Sequence, residues 1–103
     1  MSTLNLAQEL VTASPVFNSV WDALADTPEA AANLRLRTEL MRQINALIES
    51  LQLTQTQAAQ QCGITQPRMN DLLQGKISKF SLDALVNIAT AAGRVVHMEL
   101  EWA

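Results

Sequence analysis

The chain has 103 residues, 49% apolar and 17% charged, the balance of a single folded domain rather than a disordered chain. Seven lysines and arginines against ten acids give a formal charge of −3, which weighs against any partner whose recognition needs a basic footprint. A lone cysteine, Cys62, excludes an internal disulfide and a cysteine-based zinc site; with no apolar run near the roughly 20 residues of a membrane span and no signal-peptide core, a cytoplasmic protein is expected.

Fifteen Ala and fifteen Leu, against three Gly and three Pro, favour helix throughout. The first fourteen residues lack a committed pattern. Ser14-Pro15 reads as an N-cap followed by an N1 proline, and Phe17, Val20, Trp21 and Leu24 then fall at helical spacing. Thr27-Pro28-Glu29 repeats the signature with an acid where the helix dipole favours it. It opens a long helix to about Leu51, whose apolar stripe is Leu36, Leu40, Ile44, Leu47, Ile48 and Leu51.

Three short helices follow. Thr54 caps a helix from Gln55 to Cys62, and Gly63 supplies the turn. Thr65 caps the next, with Pro67 in its first turn and Gly75 just past its end. Ser81 caps a fifth helix, with Leu82, Leu85, Val86, Ile88 and Ala89 inward and Gly93 as its stop. The tail then changes period: Val96, Met98, Leu100 and Trp102 alternate with His97, Glu99 and Glu101. A single strand has no partner in its own chain, so these four apolar residues are expected to pair across a homodimer; a frayed tail is the alternative. The division expected is an N-terminal extension over residues 1–32, a helical domain over 33–93 and a dimerisation strand over 94–103.

The window Leu53–Gly75 carries the function. Ala59 lies four residues before Gly63, Ile64 follows the glycine at once, and Met69 and Leu72 come further on. This is the logic of a helix-turn-helix. The small residue allows close crossing, the glycine takes positive φ, and the apolar residues pin the second helix to the core. Gln66, Arg68, Asn70 and Asp71 are left on its polar side. Gln and Asn can pair bidentately with an adenine edge in the major groove. Gln55 suits a phosphate near the start of the preceding helix, and Lys76, Ser78 and Lys79 suit flanking phosphates.

The frame Leu53-Thr54-Gln55, Ala59, Gly63, Leu72, Gly75 resembles the XRE family of phage repressor and Cro-like proteins. Ser19-Val20-Trp21-Asp22-Ala23-Leu24, Pro28-Glu29-Ala30-Ala31-Ala32-Asn33-Leu34, Thr65 to Leu72, Gly75-Lys76-Ile77 and Phe80 to Leu85 look like HigA-type antitoxins and their stand-alone relatives. The resemblance implies an all-α, five-helix, lambda-repressor-like DNA-binding domain with a short C-terminal β-strand. It places Gln66 at the leading base-reading position and Asn70 at a second. Pro67 departs from the phage repressors and suits a thymine methyl; Arg68 suits phosphate or base. Asp71 faces repulsion from phosphate and is left out of the contact set.

The charge now divides usefully. Residues 1–34 carry −4, residues 35–79 carry +3 and residues 80–103 carry −2, so the basic excess coincides with the helix-turn-helix. By the resemblance, the function is repression of transcription from a palindromic DNA operator. The protein would be the antitoxin that neutralises a basic HigB- or RelE-like ribonuclease toxin and controls its own operon. A stand-alone regulator, and a protein-interaction module that does not bind DNA, remain alternatives. Phe17, Val20, Trp21 and Leu24 suit toxin binding, with acidic flanks at Asp22, Asp26 and Glu29; packing onto the core or across the dimer is the alternative. No catalytic constellation, metal cluster or cofactor loop is present in the sequence, so no enzyme, metal or cofactor is expected. His97, on the alternating tail, suits a solvent- or dimer-facing position, and Cys62 suits a small buried apolar site.

Overall fold

The computed structural model describes residues 27–102. The chain divides into two compact units, 1–35 and 36–103, and of the first only residues 27–35 are described. Four α-helices stand among the described residues: α1 (Pro28–Ser50), α2 (Gln55–Cys62), α3 (Gln66–Leu73) and α4 (Leu82–Ala91). A 3₁₀ turn, Ile77–Lys79, lies between the last two. The helix expected around Phe17, Val20, Trp21 and Leu24 lies outside the described residues, and the described residues hold the other four of the five expected.

Local chemistry explains each start. Thr27 Oγ1 accepts from the Ala30 amide at 3.0 Å, ahead of Pro28. Thr54 and Gln57 form a reciprocal capping box. Thr54 Oγ1 accepts from the Gln57 amide at 3.2 Å, and Gln57 Oε1 accepts from the Thr54 amide at 3.0 Å. Thr65 Oγ1 accepts from the Arg68 amide and Ser81 Oγ from the Ala84 amide. Gly63 closes α2 at φ +68°, and the Ile64 amide then reaches back to the Ala59 carbonyl at 3.0 Å. A Cβ on Gly63 would meet the Ala91 Cβ at 3.7 Å, an ordinary contact, so the dihedral rather than space calls for glycine. α1 stops without a glycine, since Gln52 itself takes φ +54° and the Leu53 amide donates to the Ile48 carbonyl.

The core of the second unit collects Met41, Ile44 and Ile48 from α1, Ala58, Ala59 and Cys62 from α2, and Met69 and Leu72 from α3. Ile77, Phe80, Leu85, Ile88 and Ala89 complete it. α2 packs against both α3 and α4. The fold departs from the sequence pattern in two places. The buried face of α1 runs through Leu34, Met41, Ile44 and Ile48, whereas Leu36 and Leu51 are about half exposed. The helix carries more apolar residues than one face can bury, so the sequence stripe combines the core face with a neighbouring one. The second is residues 94–102. They form no strand, and Leu100 and Trp102 are fully exposed. An alternating segment alone in one chain has no ladder to complete.

Candidate nucleic-acid interface

α2, the Gly63 turn and α3 make the helix-turn-helix. Met69 and Leu72 are buried, which turns the remainder of α3 outward: Gln66 and Pro67 are exposed at its start, and Asn70 and Asp71 are partly exposed one turn later. Gln66 and Asn70 are four residues apart and share one face. Contacts from outside the motif hold α3 in place. Asn45 of α1 donates from Nδ2 to the Leu72 carbonyl at 2.9 Å, and Gln55 donates from Nε2 to the Gln66 carbonyl at 3.2 Å. Gln55 thus ties the first turn of α2 to the first turn of α3. Gln74 donates to Asn70 Oδ1 at 3.4 Å, a contact that orients the Asn70 amide.

Five of the seven cations are organised by contacts within the fold. Arg37 donates to the carbonyls of Ile77 and Phe80, fixing the 3₁₀ turn to α1. Arg68 donates to the Lys79 carbonyl at 2.6 Å and lies 4.1 Å above the Phe80 ring centroid. Its guanidinium therefore bridges α3 to the last residue of the 3₁₀ turn and to Phe80 just after it, a role that no spacing in the sequence indicates. Arg42 pairs with Glu39 within α1. Lys76 and Lys79 both reach Asp71, at 3.3 and 3.5 Å. Ser78 is exposed between them.

Asp71 is thus the centre of a small ionic cluster rather than a residue set apart from the interface. Partial burial raises its pKa, but the hydrogen bond from Lys76 and the charges of Lys79 and Lys76 outweigh that and hold the carboxyl below its ordinary value. Glu39 is also lowered, by its hydrogen bond from Arg42, which prevails over burial and is aided by Gln43. Both carboxylates bind protons more weakly folded than unfolded. The stability they add is therefore present above the ordinary carboxylate value, about 4, and is lost as pH falls through the lowered folded value. Asp71→Asn should flatten the acid side of a melting-temperature profile taken from about pH 6 to about pH 2.5. By releasing two lysines and removing a negative charge, it should also tighten binding to arbitrary duplex DNA roughly two- to tenfold. An unchanged acid profile would show that the cluster adds nothing to stability.

Cys62 is buried and carries no partner cysteine, and burial pushes its thiol up, away from the reactive thiolate. Among the described residues no group of His, Cys, Asp and Glu is arranged to hold a metal ion, and no helix is long and apolar enough to cross a membrane. His97 is exposed on the tail.

Sequence spacing found the caps, the turn glycine and the outward polar residues of α3. It missed Asn45, Gln74 and the part played by Asp71. The only signal for Asn45 was a polar residue beside the buried Ile44; for Asp71 it was the two lysines five and eight residues later. A family model described as a helix-turn-helix domain matches residues 23–101, about three quarters of the chain. No curated protein and no solved structure shows a significant match. The capped helix pair, the positive-φ glycine between them and this match agree: the chain belongs to a helix-turn-helix domain family and has a DNA-binding fold.

Proposed function

We propose that this protein is a sequence-specific transcriptional repressor that inserts α3 into the major groove. The observation that carries this reading is the outward pair Gln66 and Asn70 on a helix held by Asn45, Gln55 and Arg68. Amide side chains on a fixed helix can pair bidentately with adenine, each such pair discriminating by about 1–3 kcal/mol. Pro67 beside Gln66 presents an apolar surface suited to a thymine methyl. Gln55, Lys76, Ser78 and Lys79 flank the reading helix and contact phosphates, with Arg68 positioning the Lys79 segment; any direct DNA contact by Arg68 goes to phosphate. The protein acts by binding and not as an enzyme.

The repressor works as a homodimer on a palindromic operator, with the tail residues Val96, Met98, Leu100 and Trp102 pairing between protomers. Met98, Leu100 and Trp102 are exposed apolar side chains in the single chain, which supports that use. Selection from a pool of random duplexes tests the whole reading. It should enrich an inverted repeat with half-sites about 10–10.5 base pairs apart, one turn of the double helix; a pool that stays random would refute sequence-specific repression. Deleting Val95 to Ala103 should yield monomers by light scattering and weaken operator binding by roughly 100-fold through loss of the linked second half-site. A truncated chain that still dimerises would overturn the tail interface.

The regulated operon is that of a toxin–antitoxin pair, with this chain neutralising a basic ribonuclease of the HigB or RelE kind. Charge segregation supports this: residues 1–34 carry −4 and the helix-turn-helix region +3, so one molecule offers an acidic surface for a cationic protein and a basic one for DNA. Phe17, Val20, Trp21 and Leu24 are the apolar anchors of that surface. Co-expression with the adjacent reading frame decides this point. A small basic ribonuclease that co-purifies and is silenced supports the antitoxin role; its absence leaves a stand-alone regulator.

A further inference from the structure

The half-exposed apolar face of α1 is not bare. Leu40, Ile44 and Leu47 with Ala89 of α4 and its C-cap Ala92 wall a groove of about 270 Å³, and Arg94, Val95 and Val96 form part of its lining. A second hollow of about 210 Å³ continues along α1 past Leu36 and Leu40 and is lined by Leu82, Val96, His97 and Met98. The tail therefore runs beside both hollows, with Val96 half-buried and shared between them, while Leu100 and Trp102 beyond are wholly exposed.

We propose that these hollows receive the tail of a second copy of this chain. The two tails form an antiparallel ribbon centred on Met98, and the partner's Trp102 is seated at the groove beside Arg94. The proposal rests on the dimer reading above and adds its register and its docking site.

Side-chain alternation and charge select the register. Residues directly opposed across an antiparallel pair point to the same face, so the apolar faces coincide only if an even-numbered residue opposes an even-numbered one. Centring on Glu99 would oppose Glu99 to its own copy, and centring on Leu100 would oppose Glu99 to Glu101; like charges directly opposite are destabilising. Centring on His97 would carry Trp102 past the ribbon, opposite Ala92 at the C-terminal cap of α4. Centring on Met98 avoids all three faults. On the polar face it opposes His97 to Glu99, a donor to an acceptor. On the apolar face it opposes Val96 to Leu100, Met98 to Met98 and Arg94 to Trp102.

That apolar face is the one Val96 turns toward α1, so the partner's Leu100 and Trp102 are directed at the hollows and not at solvent. An indole fits the site chemically. The groove offers aliphatic walls, and the Arg94 guanidinium can lie on the ring face, as Arg68 lies on Phe80 elsewhere in this chain. By the dyad, each chain both gives Trp102 and receives the partner's.

Register and seat are tested separately on the full chain. Single exposed-tail variants His97→Cys, Met98→Cys and Glu99→Cys are oxidised mildly, with the unsubstituted chain as control for the buried Cys62. The disulfide dimer should form from Met98→Cys roughly tenfold faster than from the other two, because only there do identical positions face each other. Trp21→Phe leaves Trp102 as the single indole. Its emission should move to shorter wavelength, and its quenching by acrylamide should fall, as concentration rises through the monomer–dimer transition. A chain that stays monomeric overturns the dimer reading itself. A dimer in which position 97 or 99 cross-links fastest overturns the register. A dimer whose Trp102 is quenched as freely as in the monomer overturns the groove seat.

Discussion

Phe80→Ala should lower the stability of the fold by about 3–5 kcal/mol, the usual cost of emptying a fully buried phenylalanine site. Phe80 is only 1% exposed, and its ring does two things at once. It fills the core where Met69, Leu72, Ile77 and Leu85 are also buried, and it carries the Arg68 guanidinium 4.1 Å above its centroid. Marginal stability in domains of this size is about 5–15 kcal/mol, so the loss is a large share of the whole. Thermal melts should fall by roughly 12 °C or more. Phe80→Leu separates the two roles. It keeps most of the apolar volume and should cost about 1.5 kcal/mol or less, but it removes the ring beneath Arg68. The Lys79 carbonyl then loses a fixed donor, and phosphate binding by Lys76 and Lys79 should weaken even though the fold survives. If Phe80→Leu bound duplex DNA as the unsubstituted chain does, the stacked arginine would have no part in positioning that segment.

The features legible in the sequence were those written over a few residues. Thr54, Thr65 and Ser81 each announced a helix start, because a capping hydroxyl acts on an amide three residues on. Gly63 announced the turn because the required φ of +68° suits glycine above all other residues. The end of α1 was less legible, since Gln52 adopts the left-handed conformation with no composition to signal it. The phase of α1 is not legible for a related reason. The helix has apolar residues around more than half its circumference, and periodicity alone does not say which of them a neighbour will cover.

Contacts that position the candidate interface were the least visible. Arg37 reaches carbonyls 40 and 43 residues away, and Asn45 reaches one 27 residues away. No spacing rule connects such pairs. Arg68 illustrates the consequence: its charge and place in α3 marked it as a DNA contact, yet its guanidinium is engaged by Lys79 and Phe80. Asp71 illustrates the reverse. Repulsion from phosphate sets it apart from a DNA contact, and the fold makes it the acceptor for both lysines that follow α3. The tail shows the limit of strand patterning, since alternation describes what a segment can pair with and not whether a partner is there.

Gln66→Ala combined with Asn70→Ala tests the central claim most directly. Both side chains are on the outward face of α3 and neither fills the core, so the double variant should melt within about 1 kcal/mol of the unsubstituted chain. Each amide removed takes away about 1–3 kcal/mol of discrimination, or roughly 30- to 25,000-fold for the two together. Binding to arbitrary DNA should hardly change, because the residues proposed to contact phosphate remain. Lys76→Ala should do the opposite, weakening binding to every sequence and reducing the salt dependence by about one phosphate equivalent. The deciding measurement is the ratio of affinities for the selected operator and a scrambled duplex of equal length, at one salt concentration, for the unsubstituted chain and the double variant. The predicted result is a ratio that collapses toward one while affinity for the scrambled duplex is preserved; a double variant that keeps the full ratio would contradict base reading by α3.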